Sequence, residues 1–212
     1  IASIETGDIS SITTAQIAAM EMRDVAAFTT AQIQNLSSSQ INSLTTGQVR
    51  ALTTAQLNAL TTAQAGTLST STVSALSVTQ LTSVATDDFA ALSTDVVAAL
   101  TTTQIKALTS AQIVALSEDQ AGVMTTAQVK ALTTAQVAVF ETADLAKLST
   151  AHIQALSTSA VSKLTVDQVK TLSTDQLNAL TTAQVKGLTT AQLVALTTEQ
   201  VSALGTAVVS AL

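Results

Sequence analysis

The fold class this sequence predicts is all-α: a repeat solenoid of very short helices, one capped helix per eight-residue repeat, wound around a continuous Leu/Val/Ile spine. Three observations predict it. Apolar residues recur with an unbroken period of eight, most periods carry a helix start signal, and the charged residues follow helix polarity.

The period covers the whole chain. Taking Ile4 as place one and stepping by eight gives Ile12, Met20, Phe28, Leu36 and so on to Leu212, 27 positions that are all apolar. Place six, from Ile9, Ile17 and Val25 to Val209, is apolar as well, with only Ala65 and Ala121 small. No insertion or deletion breaks the frame, so residues 1–212 read as a single uninterrupted repeat domain without a linker.

An octad must turn a corner. In a continuous α-helix, eight residues rotate about 800°, and the apolar stripe drifts by roughly 80° per repeat. In a continuous strand, places one and six would face opposite sides. Place two is Ser or Thr in 21 of 26 complete octads and place five is Gln in 17. That spacing is a capping box: the hydroxyl accepts from the third helical N–H, and the glutamine accepts from the cap residue's own N–H. The apolar residues at places one and six then stand where a hydrophobic staple closes the helix start.

Charge placement is an independent test, because anions favour the first helical turn and cations the last. All fourteen acidic residues lie at places two to five. Seven of the eight basic residues, Arg50, Lys106, Lys130, Lys147, Lys163, Lys170 and Lys186, lie at places seven or eight, and Arg23 is the exception. Helices this short cannot stand alone. Burial of two aliphatic side chains contributes roughly 3 to 6 kcal/mol per octad, so stability must come from stacking many of them. Small residues, frequent at places four and eight, are expected where neighbouring helices approach closely.

Composition narrows the function classes. The chain has no Cys, Trp, Tyr or Pro, one His, three Phe and 10 % charged residues, against 47 % hydrophobic residues. Little is left for acid–base, thiol or metal chemistry, and disulfides and thiolate metal sites are excluded. A net charge of −6 offers no footprint for nucleic acid or anionic lipid. No apolar run approaches the length of a membrane span. Ile1 opens the chain without an initiator Met or signal-peptide pattern, which reads as a cut or mature end.

The octads, such as LTTAQLNA from Leu52 and LTTAQVKG from Leu180, resemble the LTTAQ-type repeat tracts of very large proteobacterial proteins of the secreted, adhesin-like or calcium-binding-like kind. The resemblance spans essentially the whole chain and implies a structural tract at a bacterial surface or outside the cell. The Gly-Asp-rich nonapeptides that accompany many secreted adhesins are absent from the sequence, as are adhesive domains.

Each candidate site has a plainer reading. His152 replaces Gln at place five in STAHIQAL; Ser149 and Asp144 could complete a nucleophile–base–acid set, but a substituted capping residue is the expectation. Glu5/Asp8, Glu21/Asp24 and Glu141/Asp144 replace Thr…Gln. Calcium needs six to eight oxygens, so two carboxylates on one turn are too few unless adjacent turns stack them. Phe28, Phe89, Phe140, Met20 and Met124 occupy spine places and read as core. Thr54, Thr62, Thr126, Thr134, Thr182 and Thr190 at place three are expected to face outward, as is the variable place seven. No catalytic, cofactor-binding or metal-binding residue is therefore assigned, and no cofactor.

The expected role is structural: an extracellular or cell-surface spacer or filament-forming tract. Its partners would be itself, head to tail or laterally, or flanking repeats of a longer chain, with no nucleic acid and no membrane span. The alternative is a binding module that uses the Thr-rich surface to grip a carbohydrate, ice or protein lattice. The chain starts inside an octad and finishes on Leu212, so apolar surface is expected at both ends. If the faces are assigned correctly, Leu132→Asp destabilises strongly by burying an unpaired charge. Lys130→Gln changes stability by under about 0.5 kcal/mol. Thermal melts that shift equally for the two variants would mean that the faces are reversed.

Overall fold

A computed structural model describes residues 3–212 of the chain. Among these are one 3-10 helix, Thr6–Ser11, and 25 α-helices of four to six residues, with no strand. Each octad from the second onward forms one α-helix, and the start signals operate as the spacing predicts. All 17 place-five glutamines close a capping box with the Ser or Thr three residues before them. In the octad of Leu52, the Thr53 N–H donates to Gln56 Oε1 at 2.8 Å and the Gln56 N–H donates to Thr53 Oγ1 at 3.2 Å.

The corner needs neither glycine nor proline. Leu52 (φ −57°, ψ 134°) and Thr53 (φ −76°, ψ 158°) leave the helical region as an extended pair before the next helix starts. No described residue has a positive φ, so the chain turns without the left-handed conformation that favours glycine.

The chain divides into two compact units, Ile1–Leu108 and Thr109–Leu212, each built in the same way. Within each, a helix packs on the helix three further along, as Thr54–Leu57 does on Val78–Ser83 and Glu118–Gly122 on Thr142–Lys147. Place-six residues are at most 3 % exposed from Ile9 through Val185, and place-one residues at most 8 % from Phe28 through Leu180. Phe28, Phe89, Phe140 and Met124 belong to this buried spine, and Met20 is half-buried.

The small residues behave in two ways. Place eight lies at the packed end of the helix, where Ala59 and Ala75 are buried. A Cβ on Gly187 would come within 2.5 Å of the Thr158 methyl group, so that turn approaches as closely as only glycine allows. Place four is instead exposed, as at Ala55, Ala63, Ala127 and Ala183. It is the second helical residue, beside the outward Thr of place three, although at Gly47 it does approach a neighbour, a Cβ there falling 3.2 Å from Met22 Sδ.

The glutamines do more than cap. Gln56 Nε2 donates to the Val25 carbonyl at 2.9 Å and the Phe28 carbonyl at 2.8 Å, 31 and 28 residues earlier. Gln64, Gln80 and Gln104 in the first unit, and Gln168, Gln176, Gln184, Gln192 and Gln200 in the second, repeat both bonds in the same register. One solenoid turn therefore takes between three and four octads. Gln56→Glu keeps the capping acceptor but sets a carboxylate against two buried carbonyls, and should cost about 2 to 4 kcal/mol. Gln16→Glu, at an exposed side chain with no amide bond to a carbonyl among the described residues, should stay within about 0.5 kcal/mol. Denaturant melts of the two single variants at neutral pH check the contrast.

Candidate functional site

The chemistry of the molecule concentrates along the place-five row, so the candidate sites are the octads in which that glutamine is replaced. His152 reproduces the glutamine's bonds with a ring. Its Nδ1 accepts the Ser149 N–H at 3.2 Å, and the Ser149 hydroxyl accepts the His152 N–H at 3.3 Å. The other ring nitrogen donates to the Met124 carbonyl in the turn before. Burial pushes the imidazole below its ordinary pKa of 6.5, against the opposing pull of the Met124 bond. Ser149 is thus a helix cap whose hydroxyl is engaged by the backbone, and both ring nitrogens of His152 are occupied.

Where Thr72 and Val208 stand at place five, an asparagine from the turn before covers the gap. Asn42 Oδ1 accepts the Ser69 N–H at 2.8 Å and the Thr72 hydroxyl at 3.1 Å, while its Nδ2 donates to the Thr67 carbonyl at 2.8 Å. Asn178 Oδ1 accepts the Gly205 N–H at 2.7 Å and its Nδ2 donates to the Ala203 carbonyl at 2.9 Å. Both asparagines occupy place seven of their octads, so the two relays share one register. A void of about 20 Å³ lies beside Thr72 among Ile41, Leu44, Leu57 and Leu76, the size of a single water molecule rather than of an organic ligand.

The acidic octads behave differently from the rest. Neither Glu5, Glu21 nor Glu141 makes a side-chain cap bond. Asp88 is compensated by the Thr62 hydroxyl, which donates to Oδ1 at 2.9 Å. Asp144 is only 2 % exposed, and its Oδ2 is buried without a hydrogen-bond partner. By register it faces the Ile113 and Leu116 carbonyls, to which a carboxylate has nothing to donate. Burial, then Glu141 and Glu118, push its pKa from 3.8 up to about 6. Glu118, from the turn before, is paired with Lys147 at 3.2 Å. Adjacent turns do bring acidic residues near one another here, yet among the described residues no group of three His, Cys, Asp or Glu is placed to hold a metal ion. No described helix is long and apolar enough to cross a membrane.

The outer face carries the other repeated groups. Thr54, Thr62, Thr126, Thr134, Thr182 and Thr190 are all exposed, as are Asn58, Lys106, Lys130, Gln154 and Lys186 at place seven. The bonds from the glutamine Nε2 atoms and the asparagine relay are the functional contacts that the spacing did not reveal. A signal for the first was present: Glu caps as well as Gln, yet Glu never occupies place five.

A family model for the ALTTAQ repeat matches residues 17–54, 46–78, 81–118, 137–174 and 172–206. The chain belongs to the ALTTAQ repeat family. The matched stretches contain twelve of the 17 glutamines that close capping boxes, while Gln16, Gln80, Gln120, Gln128 and Gln136 lie outside them. No curated protein matches the chain.

Asp144 and His152 give opposite pH dependences. Asp144 has a folded-state pKa above its ordinary value, so the native state takes up its proton first and loses stability as pH rises from 3.8 to about 6. Asp144→Asn should therefore stabilise the chain at pH 7 by on the order of 2 to 3 kcal/mol. The gain should shrink as pH falls through that window. His152 has a folded-state pKa below its ordinary value, and its contribution is lost as pH falls below 6.5. His152→Gln should flatten that loss. Melting each variant across pH 3.5 to 8, with both pH limits set about the ordinary carboxylate and imidazole values, checks the signs.

Proposed function

We propose that this ALTTAQ tract is a structural, non-catalytic spacer or filament-forming segment at the surface of, or outside, a bacterial cell, and that its partners are further octads. One observation carries the reading. The most regular polar side chain, the place-five glutamine, is buried and spent on holding one turn to the next. What faces solvent is short Thr, Ser and Ala with scattered charges. Placement outside a cell rests on the likeness of the octads to surface-protein tracts.

A spacer made this way has a length set by the number of octads. Because every bond is relative in register, removal of residues 133–148, two whole octads, should leave a single cooperative melt. Removal of residues 133–136 alone should abolish it. If the four-residue deletion melts like the sixteen-residue one, length is not counted in octads and the reading fails. Immunogold labelling of cells that express the native tract should place it outside the envelope, and a cytoplasmic label overturns the surface role.

A second reading is supported by the exposed Thr of place three: a binding face for a carbohydrate, ice or protein lattice. Replacing Thr126, Thr134, Thr182 and Thr190 by Lys leaves a spacer unaffected. Loss of glycan-array or ice-recrystallisation activity in that variant would favour the binding module.

A further inference from the structure

The point that a place-five amide nitrogen occupies is a meeting place of oxygens. Gln64 Nε2 lies 2.9, 3.2 and 2.7 Å from the carbonyls of Ile33, Gln34 and Leu36, and Gln184 Nε2 lies 2.8, 3.3 and 2.7 Å from those of Ile153, Gln154 and Leu156. Three acceptors thus converge where an amide brings only two hydrogens. Each such point also stands at the end of a short helix, where the peptide dipoles are negative and favour a cation.

At Asp144 the same register sets the carbonyls of Ile113, Val114 and Leu116 round that point. Their helix, Ser110–Val114, ends as Thr30–Gln34 does: the residue after it is Ala115 at φ −80°, ψ −4° in one case and Asn35 at φ −93°, ψ −2° in the other. The oxygens are therefore presented alike, and no basic residue stands in the last turn of Ser110–Val114. Aspartate is one methylene shorter than glutamine and, when ionised, has no hydrogen to give, so it turns a fourth oxygen toward the point. Its Oδ2 is buried without a hydrogen-bond partner, and the residue is only 2 % exposed. Lys147 is drawn to Glu118 at 3.2 Å, and among the described residues no ion pair neutralises Asp144. A carboxyl pushed up to about 6 is still mostly charged at pH 7, and a buried charge of this kind needs a counter-charge.

We propose that Asp144 and the carbonyls of Ile113, Val114 and Leu116 form a binding site for a monovalent cation of the size of potassium. The spacing selects the ion. Oxygens 2.7 to 3.3 Å from the central point stand further out than the roughly 2.0 to 2.6 Å that magnesium and calcium require. One carboxylate among neutral carbonyls also supplies too little charge for a divalent ion, and no three acidic or histidine side chains converge among the described residues. A larger monovalent ion exchanges its water for carbonyl oxygens of this kind, and Glu118 and Glu141 add a negative field without being ligands. Val114 is 43 % exposed, which leaves the outer side open to the ion and to its remaining waters. The site is particular to this octad: Asp88 is already served by the Thr62 hydroxyl, and Val96 and Ala160 bring no charge to place five.

Thermal melts and hydrogen exchange of the full chain at pH 7 test the site, in potassium chloride against tetramethylammonium chloride at equal ionic strength. With potassium at about ten times its measured Kd, the N–H groups of Leu145 and Leu148 should exchange about tenfold more slowly, and the melting temperature should rise. Sodium and calcium chlorides should each protect less. Asp144→Gln, which restores the repeat's own amide, should melt at or above the potassium-bound level and lose the response, whereas Asp88→Asn should keep it. Equal exchange in the potassium and tetramethylammonium salts, stronger protection by sodium or calcium, or a potassium response that survives in Asp144→Gln overturns the proposal. None of these outcomes depends on where the tract resides.

Discussion

The bond on which the rest of this structure depends is the donation of a place-five glutamine amide to two backbone carbonyls one turn earlier. A helix of four to six residues leaves most of its N–H and C=O groups without intrahelical partners. The capping box answers the problem at the start of each helix. At its end, the place-six and place-one carbonyls would stay buried and under-bonded, and the next turn's glutamine supplies the donors. One side chain thus serves two helices with opposite ends, its oxygen closing its own start and its nitrogen closing an earlier finish.

That double use explains why the substitutions at place five are so informative. A histidine succeeds because its two nitrogens, one accepting and one donating, mimic an amide when the ring is neutral, and burial favours the neutral ring. Thr72 and Val208 fall short of the gap, and asparagines at place seven carry their polar atoms across from the other side. An aspartate accepts but cannot donate. It is tolerated at Asp88, where a threonine hydroxyl turns toward it, and strained electrostatically at Asp144, where nothing does. The order of success follows donor and acceptor count rather than size or polarity.

The bond also has a direction, and the molecule inherits it. Amides point toward earlier residues and carbonyls toward later ones, while each turn covers the place-six side chains of the one before.

Most of the fold was legible in the residues, because the determining interactions are local. The hydroxyl at place two, the glutamine at place five and the apolar pair that staples them lie within a single octad, so their chemistry depends on nothing distant. Charge polarity along each octad is equally local. The identity of the spine residues, the outward rows and the capping role of His152 follow from the same short-range logic. What only the tertiary structure decided is which octads meet. The offset between a glutamine and the carbonyls it bonds arises from the angle of each extended Leu–Thr corner, summed over a whole solenoid turn, and no single octad encodes that sum. The second role of the glutamine, the asparagine relay at Asn42 and Asn178, the outward turn of place four and the isolation of Asp144 all depend on that register. They are fixed by how one turn lies on the next, since a side chain's local sequence specifies its own helix but not the carbonyl it will face.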